Sequence, residues 1–174
     1  ENKQLTFHFE TNKAKIYADM DAIKLGVILD NLLSNAVKFT PDGGSVRLSL
    51  FYREETGLLD ICVSDTGSGI PQQDIPYIFQ RFFQSPHSGN KEGTGIGLYL
   101  VKTYTELHGG HINGVTSNEG KGTSIGLNIP VIAVEKEEIP ATQVKKQLES
   151  LPVLKPIEAE SQDEKFLSNI IRLI

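Results

Sequence analysis

The chain has 174 residues, a formal net charge of −5 and 39% hydrophobic residues, enough for one sizeable core and an appended segment. Acidic and basic residues are interspersed and form no basic stripe, which argues against nucleic acid as a direct partner. A single cysteine, Cys62, excludes an internal disulfide and a cysteine-built zinc site, and it fits a reducing, cytoplasmic setting.

Nothing resembles a signal peptide or an apolar run of about 18 residues, so membrane contact by this stretch is not expected. The chain begins at Glu1 and passes almost at once into strand-like alternation. That is expected of a piece of a longer protein, one compatible with an inner-membrane anchor elsewhere in the parent.

Leu5-Thr6-Phe7-His8-Phe9 alternates apolar and polar residues and predicts a half-buried strand, with Lys15 to Asp19 a second, shorter one. Asp21 to Thr40 predicts a long helix with Asp21 as its N-cap, stopped by Thr40-Pro41-Asp42-Gly43-Gly44. Leu25, Ile28, Leu29, Leu32, Leu33, Ala36 and Phe39 form its broad apolar face, while Asn31, Asn35 and Lys38 share another by their i, i+4, i+7 spacing. Alone, that polar face reads equally as a solvated one.

Ser45 to Tyr52 and Leu58 to Val63 predict a hairpin, with Cys62 a buried strand thiol. The hairpin runs into Ser64-Asp65-Thr66-Gly67-Ser68-Gly69-Ile70-Pro71, a carboxylate at a strand end before glycines two apart. Gly67 and Gly69 would let a ligand approach the backbone. A short helix is expected over Gln72 to Pro76. Ile78-Phe79-Gln80-Arg81-Phe82-Phe83 follows, where phenylalanines this dense indicate core or a local cluster.

Ser85 to Glu92 is polar and predicts a mobile loop. It stands where a lid would have to be, and Lys91, its only basic residue, is the candidate for a phosphate contact. Gly93-Thr94-Gly95-Ile96-Gly97-Leu98 then opens a helix closed by Gly109-Gly110, with Leu98, Val101, Thr105 and Leu107 as its apolar positions. A glycine-rich loop at a helix start offers free N–H groups and the positive end of the helix dipole, which suits phosphate. The spacing is neither that of a Walker loop nor that of a Rossmann fingerprint.

His111 to Thr116 and Thr123 to Ile129 predict a final strand pair. We place a domain boundary at residue 130. Residues 131–174, rich in glutamate, lysine and proline, read as a linker or extension with one further helix over 163–174, where Phe166, Leu167, Ile170, Ile171 and Ile174 share a side.

In this order the motifs resemble the catalytic, ATP-binding domain of sensor histidine kinases, of the superfamily shared with gyrase, mismatch-repair ATPases and the ninety-kilodalton heat-shock chaperone. Asn31 to Thr40 looks like the family's N box, Asp65 to Gly69 its first glycine box, and Ile78 to Phe83 its F box. Gly93 to Leu98 looks like the second glycine box and Gly120 to Thr123 a third. Phe39 departs from a common tyrosine.

The resemblance implies a two-layer α/β (α+β) sandwich of Bergerat type, a mixed sheet of about five strands with three helices on one face. It implies a bound ATP, with Asp65 reading adenine, Ile70 and Thr123 nearby, and the two glycine boxes (Gly67, Gly69; Gly93, Thr94, Gly95, Ile96, Gly97, Leu98) around the nucleotide. Asn35 would be the Mg²⁺ ligand, and Asn31 and Lys38 the catalytic pair facing the phosphates. Hydrolytic relatives carry a glutamate where this chain has Asn31, and asparagine cannot accept a proton at neutral pH.

The implied partners are a histidine on a separate dimerisation domain of the same protein and a response-regulator receiver domain, within a homodimeric parent. A nucleotide-responsive binding module and an anti-sigma-type serine/threonine kinase are the alternatives.

Overall fold

The first long helix, α1 (Ala22–Phe39), sets the frame of the structure, a computed structural model that describes residues 3–16, 18–86 and 93–133. Asp21 caps it in extended backbone, its Oδ1 accepting the Lys24 N–H at 3.0 Å. Leu25, Ile28, Leu29, Leu32, Leu33 and Ala36 are buried along one face. At the other end Thr40 is buried, and its N–H and hydroxyl both donate to the Ala36 carbonyl, at 3.0 and 2.6 Å. Pro41 has no N–H to continue the helix.

That apolar face packs on a five-stranded mixed sheet. Its strands are β1 (Thr6–Thr11), β3 (Ser45–Arg53), β4 (Leu58–Asp65), β5 (His111–Asn118) and β6 (Gly122–Pro130). They lie in the order β1-β3-β4-β6-β5, with β1 parallel to β3 and the other pairs antiparallel. Register carries the period-two pattern across the sheet. Leu50, Ile61, Leu127 and Ile112 form one row on the helix side, and Leu48, Val63, Ile125 and Val115 the next.

Leu48, Ile61, Leu127 and Ile129 are fully buried, as are Ile28 of α1 and Val101 of the second helix, α2 (Gly97–Leu107). Each such side chain contributes about 1.5–3 kcal/mol relative to an exposed one.

The neighbouring register rows, Ser49–Cys62–Gly126 and Arg47–Ser64–Ser124, point away from the helices. Cys62 therefore sits on the outer face, half-buried, with its Sγ 3.3 Å from Ser124 Oγ, rather than in the core.

Helix cover differs in one respect from the sequence expectation. Among the described residues there are two α-helices and a 3₁₀ turn, Ile75–Tyr77, in place of three helices. Pro76 has no N–H to give to the Gln72 carbonyl, the bond that a helix starting at Gln72 would need.

The expected second strand is reduced to β2 (Ala18–Asp19), which pairs antiparallel with β7 (Ile132–Ala133) beyond the main sheet. Leu107 ends α2 with its side chain 66% exposed, while Val101 and Thr105 are buried. The tail from residue 134, including the helix expected over 163–174, lies outside the described residues.

Candidate functional site

Between α1, the ends of β4 and β6, and the start of α2 lies a cleft of about 410 Å³. Its apolar lining comes from Leu32, Val63, Ile78, Phe83, Leu98 and Ile125. Polar groups gather in two places. Asp65 and Thr123, register partners on β4 and β6, form one. Asn31, Asn35 and Lys38 of α1, with Gly93, Thr94, Gly95 and Gly97, form the other.

Asp65 is held from behind. Its Oδ1 accepts N–H bonds from Gly67 at 2.7 Å and Thr123 at 3.3 Å, and among the described residues none is made to Oδ2. Burial pushes the carboxyl above its ordinary value, and the two N–H groups pull it part of the way back. A half-buried acceptor of this kind suits a ligand donor such as an exocyclic amine.

The loop after Asp65 is fixed by close backbone packing. A methyl on Gly67 would lie 2.6 Å from the Phe39 carbonyl oxygen, and one on Gly69 (φ +71°) 2.0 Å from that of Asn118. These glycines are demanded by the protein's own backbone, a correction to the reading that they clear room for ligand. Gly69 and Ile70 line the cleft; Gly67 stands behind it. The Ile70 N–H donates to Ser117 Oγ at 2.7 Å, and Ser117 Oγ is 2.9 Å from Thr123 Oγ1, so β5 and β6 brace the loop.

At the other end, α2 begins without a side-chain cap: Ile96 supplies no hydrogen bond to its first N–H groups. Ile96 itself does not line the cleft, whereas Leu98 does. Uncapped N–H groups and the helix dipole together favour an anion. Lys38 is alongside. Its Nζ lies 5.2 Å from the Phe39 ring centroid and 3.2 Å from where a Gly93 side chain would begin.

Asn31 faces α2. Its Nδ2 donates to the Val27 carbonyl at 2.7 Å, and a methyl on Gly97 would be 2.6 Å from its Oδ1. Lys91, the expected loop cation, lies outside the described residues, as does His87.

The structure thus brings together all the predicted site residues except Gly67, Ile96 and Lys91. It adds Phe83, Gln84 and Glu119, which sequence reasoning passed over. Phe83 could have been singled out from its doublet with Phe82: it turns into the cleft beside Tyr77, ring centroids 5.9 Å apart, while Phe82 is 59% exposed. Gln84 Nε2 donates to the Gly93 carbonyl at 2.7 Å, tying the F-box end to the glycine loop. For Glu119, in a turn, the sequence carries no signal.

Phe82 has a left-handed backbone (φ 66°), and its N–H donates to the carbonyl of Gly95 (φ 68°) at 2.8 Å. No helix among the described residues is long and apolar enough to cross a membrane.

Comparison with known proteins fits this geometry. The sensor histidine kinase WalK of Bacillus subtilis is 41% identical over 117 residues, 66% of this chain and 19% of that protein. The circadian input-output histidine kinase CikA of Synechococcus elongatus is 36% identical over 163 residues, 92% of this chain and 21% of the relative. The chain thus spans about a fifth of the length of these curated relatives.

Among solved structures, a mycobacterial sensor histidine kinase, MprB, superposes with a TM-score of 0.63 at 30% identity, covering 75% of this chain and 84% of the other. Full-length ShkA, in complex with AMPPNP, gives 0.64 at 27% identity, covering 76% of this chain and 27% of the other. The sequence pattern of the histidine kinase-, DNA gyrase B-, and HSP90-like ATPases matches residues 20–133. The chain belongs to that family, and its likeness within it is to the ATP-binding catalytic domain of sensor histidine kinases.

Proposed function

We propose that this domain binds ATP in the cleft and presents the γ-phosphate to a histidine of a separate helical dimerisation domain, for relay to a response-regulator aspartate. The observation that carries the reading is the separation of roles within one cleft. A half-buried carboxylate, Asp65, stands at the ends of β4 and β6, while Lys38 and the uncapped start of α2 supply positive potential at the other polar group. Adenine at the first and phosphates at the second match these chemistries.

Asn31 would face the phosphates, where a base would be needed to activate water, and its amide cannot take a proton. One N–H of that amide is bonded to the Val27 carbonyl. ATP would therefore be held for an incoming nucleophile. None of the described histidines (His8, His108, His111) lines the cleft, which supports an acceptor on a partner domain.

Mg²⁺ fits this donor set. The described residues contain no cluster of three or more His, Cys, Asp or Glu side chains able to hold a metal. Asn35 offers one neutral oxygen beside the phosphate end, and Mg²⁺ takes few protein ligands when phosphates and water supply the rest. When bound, it would neutralise charge on the phosphate oxygens.

Three readouts test the proposal. Calorimetry with ATP and Mg²⁺ should show saturable binding by about millimolar nucleotide, and phosphate release by the chain alone should be slow. Absence of binding, or brisk hydrolysis, would overturn it. Transfer from ATP to a histidine on a supplied dimerisation domain is the third readout, and binding without any transfer would favour a nucleotide-responsive module.

A further inference from the structure

One lysine outside the cleft is tied to it through the backbone. The Lys3 ammonium donates to three carbonyls at the end of α1: Val37 at 3.0 Å, Lys38 at 2.9 Å and Thr40 at 2.9 Å. The helix cannot satisfy the first of these itself. The partner of the Val37 carbonyl would be the N–H of residue 41, which is proline. Lys3 supplies the missing donor and sets a positive charge at the negative pole of the helix dipole.

The bond is part of a strap. The Gln4 N–H donates to Asp42 Oδ1 at 2.6 Å, Gly43 N–H to the Gln4 carbonyl at 2.8 Å, and Thr6 N–H to the Gly44 carbonyl at 2.9 Å. Residues 3–6 thereby cross the end of α1 and hold the turn that follows it.

We infer that Lys3 is a positioning residue for Lys38, fixing the last turn of α1 so that the Lys38 ammonium meets the phosphates. The inference rests on the reading of Lys38 as a phosphate contact. Lys38 is the link, because its carbonyl accepts from Lys3 while its side chain lines the cleft. Other bonds keep the helix end folded without Lys3. Ser68 N–H donates to the Phe39 carbonyl at 3.2 Å, and Thr40 is bonded to Ala36. Loss of Lys3 then loosens residues 37 and 38 while leaving Asp65 and Thr123, on β4 and β6, in place.

Calorimetric titration of the 174-residue chain with AMPPNP and, separately, with adenosine tests this. Lys3→Met should weaken AMPPNP about three- to tenfold and adenosine by less than about twofold. Lys3→Arg should restore AMPPNP binding, and Lys3→Met added to Lys38→Ala should cost nothing further. Equal loss of both ligands would make Lys3 a general helix cap, and full additivity with Lys38→Ala would make it a remote charge; either overturns the inference, as would no effect of Lys3→Met. If Lys3→Met melts below the assay temperature, Lys3→Gln, which keeps an uncharged donor group, should give an intermediate loss of AMPPNP alone. Failure of Lys38→Ala to weaken AMPPNP would refute the phosphate role of Lys38 itself, a result distinguishable from failure at Lys3.

Discussion

Asn31 and Gly97 are in such close apposition that a side chain on the first residue of α2 would displace that of Asn31: a methyl there would lie 2.6 Å from Asn31 Oδ1. Gly97→Ala forces Asn31 to turn away, and turning breaks its 2.7 Å bond to the Val27 carbonyl. We expect ATP affinity to fall about tenfold or more, near 1.4 kcal/mol. The thermal midpoint should hardly change, because alanine is the better helix former. Calorimetry beside a thermal melt checks both halves, and an unchanged ATP affinity would count against the assigned phosphate end.

Asp65 should decide base preference. Asp65→Ala removes the acceptor proposed for the adenine amine, and ATP should weaken by about 1.5–3 kcal/mol, or about 10- to 150-fold. GTP, which has a carbonyl in place of that amine, should lose less, so the preference narrows. Equal weakening of ATP and GTP would reduce Asp65 to a brace for Gly67 and Thr123.

The raised pKa of Asp65 sets opposite pH dependences for stability and binding. Burial lifts the folded-state value above the ordinary 3.8. The folded state therefore holds the proton more tightly than the unfolded one. Its stabilising contribution is complete below the unfolded value and lost as pH rises through the folded value. Relative to Asp65→Asn, the ligand-free wild type should gain thermal stability on acidification from pH 7 towards 4. Adenosine affinity should fall over the same interval in the wild type only, since a protonated carboxyl is the poorer acceptor. Melts and titrations at several pH values read both trends; parallel curves for wild type and variant would refute the assignment.

Phe82 is held in left-handed backbone against Gly95, with its ring 59% exposed and the Arg81 guanidinium 4.5 Å above it. Such a conformation costs a non-glycine residue about 1–3 kcal/mol and is worst for a β-branched one. Phe82→Val should lower the thermal midpoint and nucleotide affinity together, because the Gly95 carbonyl is bonded to the Phe82 N–H. Phe82→Asn, which tolerates positive φ, should leave both nearly unchanged. Similar behaviour of the two variants would locate the effect in the lost ring instead.

What the sequence disclosed followed from periodicity and from local backbone demands. The apolar positions of α1 from Leu25 to Ala36 are those buried, Asp21 is its cap, and Asn31, Asn35 and Lys38 meet the glycine loop across the cleft. What it hid was pairing at a distance. Two-residue strands such as Ala18–Asp19 carry no period, and nothing in Thr6 to Thr11 announces a parallel neighbour at Ser45. The outward turn of Cys62 was implicit in the alternation of Leu59, Ile61 and Val63, since the residue between two inward ones points the other way. The bonds from Lys3 to the end of α1 span more than thirty positions and leave no trace in either segment alone.

The parallel pairing of β1 with β3 also bears on the order in which the sheet assembles. Hairpin β3–β4 closes through a short turn, whereas β1 can reach β3 only after the whole of α1 has crossed over between them. Closing the longer loop costs more chain entropy before any contact repays it. As an edge strand with most of its residues exposed, β1 should then be the last to join the sheet and among the first whose amides open to exchange.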